Sequence, residues 1–146
     1  MARSPTTSVS VQAQGDSGGV LWSFIQGEQL AFGVTLGFII NTTGYTFEAV
    51  VMEGLNVLGN PAVPTSVRPG GVNTQLTVVN PGGSNAITIR FPETLGATWA
   101  VQPQIDVPVH GFFELRVTEP AGAFPQTWKP LKGVVEIAYS PTYLVP

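Results

Sequence analysis

The chain has 146 residues, the size of one domain, and 43% of them are hydrophobic while only 10% are charged, against roughly 25% charged in an ordinary soluble chain. Six Lys+Arg against nine Asp+Glu give a net charge of −3, without the basic patch that neutralises a phosphate backbone, so direct nucleic-acid binding is not expected. There is no Cys, which excludes a disulfide framework, a thiolate metal site and a Cys nucleophile together.

Residues 1–19 are rich in Ser, Thr, Gln and Gly and read as an extended N-terminal arm with one short strand at Ser8–Gln14. The opening residues lack an apolar stretch, so no secretory leader is expected. The run Gly15-Asp16-Ser17-Gly18-Gly19 reads as a hinge, because no Walker lysine or strand–loop–helix context follows it. Residues 20–146 then form a single domain. In Leu30, Phe32, Val34, Leu36 and Phe38 every second residue is large and apolar, the period of a strand with one buried face. Gly33, Thr35 and Gly37 interrupt this segment well short of the roughly 20 apolar residues of a membrane-spanning helix. Asn41-Thr42-Thr43-Gly44 reads as a turn leading to a return strand, Tyr45–Met52, and so predicts a hairpin. As a glycosylation acceptor the Asn41-Thr42-Thr43 tripeptide is attributed to chance.

Glu53–Asn73 reads as an ordered loop. Gln75–Val79 and Asn85–Phe91 flank Asn80-Pro81-Gly82-Gly83-Ser84 as a second hairpin. Leu95–Trp99 reads as a short crossover carrying a buried aromatic. Phe112–Thr118 and Val134–Tyr139 are the last strands, separated by a Pro- and aromatic-containing loop, Pro120–Pro130. About seven strands without helical crossovers predict an all-β, antiparallel two-layer sandwich, immunoglobulin-like in strand number and order, with a jelly roll as the alternative.

No cluster of catalytic groups emerges along the way. His110 is the lone imidazole, and the carboxylates are scattered singly with no metal-ligand spacing, so no catalytic residue, metal site or cofactor is expected and the chain is not read as an enzyme. Glu48, Glu114, Arg116 and Glu136 fall in mid-strand, as solvent-facing residues or cross-strand pairs. Trp22, Trp99, Trp128 and Phe124 are candidate stacking platforms for a sugar ring, with Trp99 assigned to the core. Trp128, in the loop Phe124–Pro130, is the aromatic expected to reach a partner.

Gln26-Gly27-Glu28-Gln29-Leu30 leads into an alternating strand, Thr43-Gly44-Tyr45-Thr46-Phe47-Glu48-Ala49-Val50 follows as the paired strand, and Gly111-Phe112-Phe113-Glu114-Leu115-Arg116-Val117 and Leu131-Lys132-Gly133-Val134-Val135-Glu136-Ile137 come later. From Gln26 onward the chain thereby resembles the immunoglobulin-like module of tailed-bacteriophage virion proteins, such as the N-terminal module of baseplate upper proteins. The resemblance implies a non-enzymatic structural subunit of the virion: a baseplate, tail or fibre-attachment component, or a capsid decoration protein. It would be assembled in the host cytoplasm and would act through other virion proteins, in a homo-oligomer or another symmetric assembly, with no nucleic acid or membrane partner. Sparse charge fits burial between subunits. The arm, through Val9 and Val11, would add a strand to a neighbour's sheet edge, and Phe124 and Trp128 would serve as loop contacts. The alternative is a carbohydrate-binding module for host-surface recognition that uses Trp128.

Overall fold

Alternating apolar residues dictate the architecture. The computed structural model describes residues 8–11, 18–37, 39–54, 71–120, 122 and 124–142. Among them are eight strands and no helix: β1 (Ser8–Val11), β2 (Gly18–Ile25), β3 (Leu30–Leu36), β4 (Thr46–Glu53), β5 (Asn73–Val79), β6 (Ala86–Phe91), β7 (Val109–Thr118) and β8 (Thr127–Ala138). They form one mixed sheet in the order β1-β3-β6-β5-β4-β7-β8-β2. The expected all-β class is therefore observed. The sheet is not wholly antiparallel, because β1 runs parallel to β3 and β2 parallel to β8.

The sheet curls because β5 divides its pairing. Thr74, Gln75 and Leu76 face β4, whereas Thr77, Val78 and Val79 face β6. The two halves then bury one shared face. In β3 Phe32, Val34 and Leu36 are buried, in β6 Ile87, Ile89 and Phe91, and in β7 Phe113, Leu115 and Val117, each at the two-residue period of a strand. Strands far apart in the order meet across this core. Trp22 of β2 stacks on Phe32 of β3 with centroids 4.6 Å apart, and meets Phe91 edge-on at 5.3 Å and Phe113 at 4.8 Å.

Several expectations change. Gly18 and Gly19, read as a hinge, pair with Leu131 and Lys132 inside β2. Of the expected strand Ser8–Gln14, Ser8–Val11 is strand. Residues 12–17, Phe38 and most of the expected loop Glu53–Asn73 lie outside the described residues. The hairpin expected across Asn41–Gly44 is absent: β3 pairs with β1 and β6, and β4 with β5 and β7. Residues 37–45 instead carry the chain from one half of the curled sheet to the other. The second hairpin is observed, with Val78 opposite Ile89.

The other correction lies in β8, which starts at Thr127, within the segment expected to be a loop. Pro130 cannot donate to a ladder. The strand accommodates it at a bulge, where Lys129 and Pro130 together oppose Arg116 between the pairs Leu115↔Leu131 and Val117↔Trp128.

Beyond β6, Trp99 is buried as expected, together with Leu95, in a run of tight turns. The Gln102 side-chain amide donates to the carbonyls of Gly96, Ala97 and Trp99 at 3.0, 3.3 and 2.8 Å and so fixes these turns. Close packing extends to Gly111, where a Cβ would lie 2.6 Å from Trp99 Cη2 and 2.9 Å from the Met52 carbonyl oxygen.

Candidate functional surface

The loops at one end of the sheet are held by polar side chains. Thr42 is fully buried, and its hydroxyl donates to Asn80 Oδ1 at 2.6 Å. The Asn80 amide donates in turn to the carbonyls of Thr42 at 2.9 Å and Tyr45 at 3.4 Å. Asn41 Oδ1 accepts from the backbone N–H and hydroxyl of Thr43 and from the Gly83 N–H. Gly82 and Gly83 both have positive φ, of 73° and 76°, which is how the short turn brings the Gly83 N–H to Asn41. Gly44 lies against Pro120, 3.3 Å from where its Cβ would be, so the loop 119–126 joins the same end.

At this end stand the two most exposed large apolar side chains among the described residues, Ile40 at 95% exposure directly before the braced turn and Phe124 at 92% on the neighbouring loop. A loop braced by side-chain hydrogen bonds presents such groups without the ordering entropy a free loop would lose on binding. Asn80→Ala removes the acceptor of the buried Thr42 hydroxyl and the donor to two carbonyls. It is expected to lower stability by about 1–3 kcal/mol in a denaturant titration. An unchanged midpoint would mean that water replaces the network.

The residues singled out by sequence take different positions. Val9 and Val11 lie in β1 opposite Val34 and Leu36 of the same chain, so this part of the arm is already paired in cis. Phe124 is exposed on its loop. Trp128, expected in that loop, belongs to β8. It sits opposite Val117 and is partly buried against the core, with its ring edge-on to Tyr45 at 6.5 Å. Phe124 and Trp128 thus share one end of the molecule, while β1 lies along a sheet edge. Sequence reasoning did not select Ile40. Ile40 continues the two-residue phase of Leu30–Phe38, which by itself predicts a buried side chain, so its exposure had no signal in the sequence.

The imidazole has a structural setting. His110 is buried, and its Nε2 lies 3.2 Å from Glu136 Oε2 on the neighbouring strand. Glu53 is also buried, with one carboxylate oxygen accepting from the Val72 N–H at 3.1 Å and the other from the Ala100 N–H at 2.7 Å. Each group joins separate segments of the fold, and the described residues contain no group of three or more metal-ligating side chains. No protein-family model matches the chain, and no curated protein matches it significantly.

Proposed function

We propose that this chain is a non-enzymatic structural subunit of a tailed-bacteriophage virion, which acts through protein–protein contacts made by the loop end that carries Ile40 and Phe124. The observation that carries this reading is the presence at one end of the sheet of two almost fully exposed apolar side chains, Ile40 on a loop fixed by a polar network and Phe124 on the loop that packs against it through Pro120. An apolar group held out in solvent gains free energy when a partner covers it, by roughly 1.5–3 kcal/mol for a large side chain. The sparse charge of the chain, at 10%, supports the same reading.

The strand order supports an immunoglobulin-like sandwich as the finer description of the fold. Split at β5, it reads β1-β3-β6-β5 and β4-β7-β8-β2. That is the order of the two sheets of the immunoglobulin fold, with β2 added beside the last strand. A carbohydrate-binding role is the weaker reading, since Trp128, the ring it would use, packs on the core.

Mass spectrometry of purified particles should detect the chain, and Ile40→Asp with Phe124→Asp should fold normally yet be lost from particles. Particles that lack the wild-type chain, or that take up the double variant normally, would overturn the proposal. Glycan-array binding abolished by Trp128→Ala would replace it with the carbohydrate reading. A truncation that tests the arm must stop before Gly18, because deleting residues 1–19 removes the start of β2.

A further inference from the structure

Strand register brings a row of apolar side chains onto the outer face of β4, β7 and β8. Met52 lies opposite Phe112, and Phe112 opposite Val134. Their neighbours Val51, Phe113 and Val135 are buried in the core, so alternation turns these three outward, where each is half-buried. Charged rows flank them. On one side Val50, Glu114 and Lys132 form the next row, followed by Glu48 opposite Arg116, and the bulge adds Lys129, whose Nζ lies 3.2 Å from Glu114 Oε1. On the other side stands the His110–Glu136 pair. A groove of about 390 Å³ runs between Glu48, Val50, Glu114, Arg116, Thr127 and Lys129.

The charges on this face balance. Glu48, Glu114 and Glu136 oppose Arg116, Lys129 and Lys132, three of each sign. Among the described residues Glu48, Arg116 and Lys132 are exposed and form no ion pair. A partner of one charge sign would meet half of them unfavourably. A copy of the same face supplies both signs, and a two-fold axis that sets an acidic residue of one copy against a basic residue of the other repeats that contact in reverse. Three strands about 4.8 Å apart and eight residues long, at about 3.4 Å per residue, give a footprint on the order of 400 Å². That is about half of the roughly 800 Å² per partner of a stable interface.

We propose that the outer face of β4, β7 and β8 joins the same face of a second copy of this chain in an isologous dimer, with Met52, Phe112 and Val134 at its centre and the mixed charges around them. This goes beyond the virion role and does not depend on it, since it concerns the purified chain alone. The loop end with Ile40 and Phe124 remains free for other partners.

The test is sedimentation velocity of the full-length chain across micromolar concentrations. The wild type should sediment as a dimer. Phe112→Glu should weaken association by at least about 100-fold, as expected for a charge placed in the centre of an apolar contact. Lys132→Glu, a change at an exposed position that leaves the core intact, should weaken it more moderately and serves if Phe112→Glu does not fold. Phe124→Asp should leave the dimer unchanged. A monomeric wild type, or a dimer unaffected by both Phe112→Glu and Lys132→Glu, would overturn the proposal. A dimer lost on Phe124→Asp would do the same, by moving the contact to the loops.

Discussion

Replacing Trp22 with alanine is expected to lower the unfolding free energy by about 3–5 kcal/mol, the range for truncating a large buried aromatic. The ring is 3% exposed and touches Phe32, Phe91 and Phe113, which belong to three other strands. The effect should be large because of where these strands lie. β2 is the last strand of the sheet and β3 is next to its first, so the stack of Trp22 on Phe32 joins segments that no ladder hydrogen bond connects. Trp22→Ala opens a cavity at the closure of the curl. Trp22→Phe, which keeps an aromatic face on Phe32, should lose less than half as much. Urea titrations followed by far-UV circular dichroism measure both. A loss below about 1 kcal/mol for Trp22→Ala would show that the closure does not depend on this ring. Domains of this size are stable by only about 5–15 kcal/mol, so the alanine variant should be close to unfolding at physiological temperature.

Glu53→Gln is expected to lower stability by about 1–3 kcal/mol, and Glu53→Ala by about 3–5 kcal/mol, although neither change greatly alters the apolar core. Both carboxylate oxygens accept from backbone N–H groups, one from Val72 and one from Ala100. Glutamine has one oxygen and one amide nitrogen, so one of those N–H groups must then face another donor. Alanine leaves both without their present acceptor in a buried site. The loss should be local before it is global. Val72 precedes β5, and Ala100 lies in the turns that carry Trp99, so amide hydrogen exchange around residues 72 and 100 should accelerate first. Equal stability of wild type and Glu53→Gln would show that the carboxylate does not brace these segments.

The two variants probe different layers of one construction. Aromatic stacking closes the curled sheet, while polar side chains tie the loops to its ends: Glu53 and Gln102 at one end, Asn80 and Thr42 at the other. Surface properties follow from that division. With the core filled from within and the loops braced, apolar groups such as Ile40 and Phe124 remain outside, where the proposed partners would cover them.

Much of this was legible in the residues. The alternation in Leu30–Leu36, Ala86–Phe91 and Phe112–Thr118 identified strands because a pleated backbone sends successive side chains to opposite faces. Asn80-Pro81-Gly82-Gly83 marked a true hairpin, since its glycines take the positive φ that the turn requires. β2 was harder to read. Val20, Trp22 and Phe24 alternate, but the preceding glycines suggested a hinge, and only pairing with β8 shows Gly18 and Gly19 to be strand. Trp128 had the same difficulty: Pro130 argued for a loop until a bulge provided a place for it. Of the candidate contact residues, sequence identified Phe124 as exposed in a loop and overlooked Ile40, because exposure depends on what packs nearby and not on residue type.

By itself, then, the sequence determined the all-β class, the period of the buried faces, the absence of cysteine chemistry and the scarcity of charge, since these depend on residue type and local spacing. Only the tertiary structure decided which strands are neighbours. The segment after Leu36 contains turn residues suited to a hairpin, yet β3 pairs with β6, fifty residues away in the chain, and with β1. Local turn preferences are worth little against burying Phe32, Val34 and Leu36 between the two halves of the sheet, and that burial exists only once Trp22, Phe91 and Phe113 are in place. The same long-range pairing set Met52, Phe112 and Val134 in one outward row, and left Ile40 and Phe124 on adjoining loops.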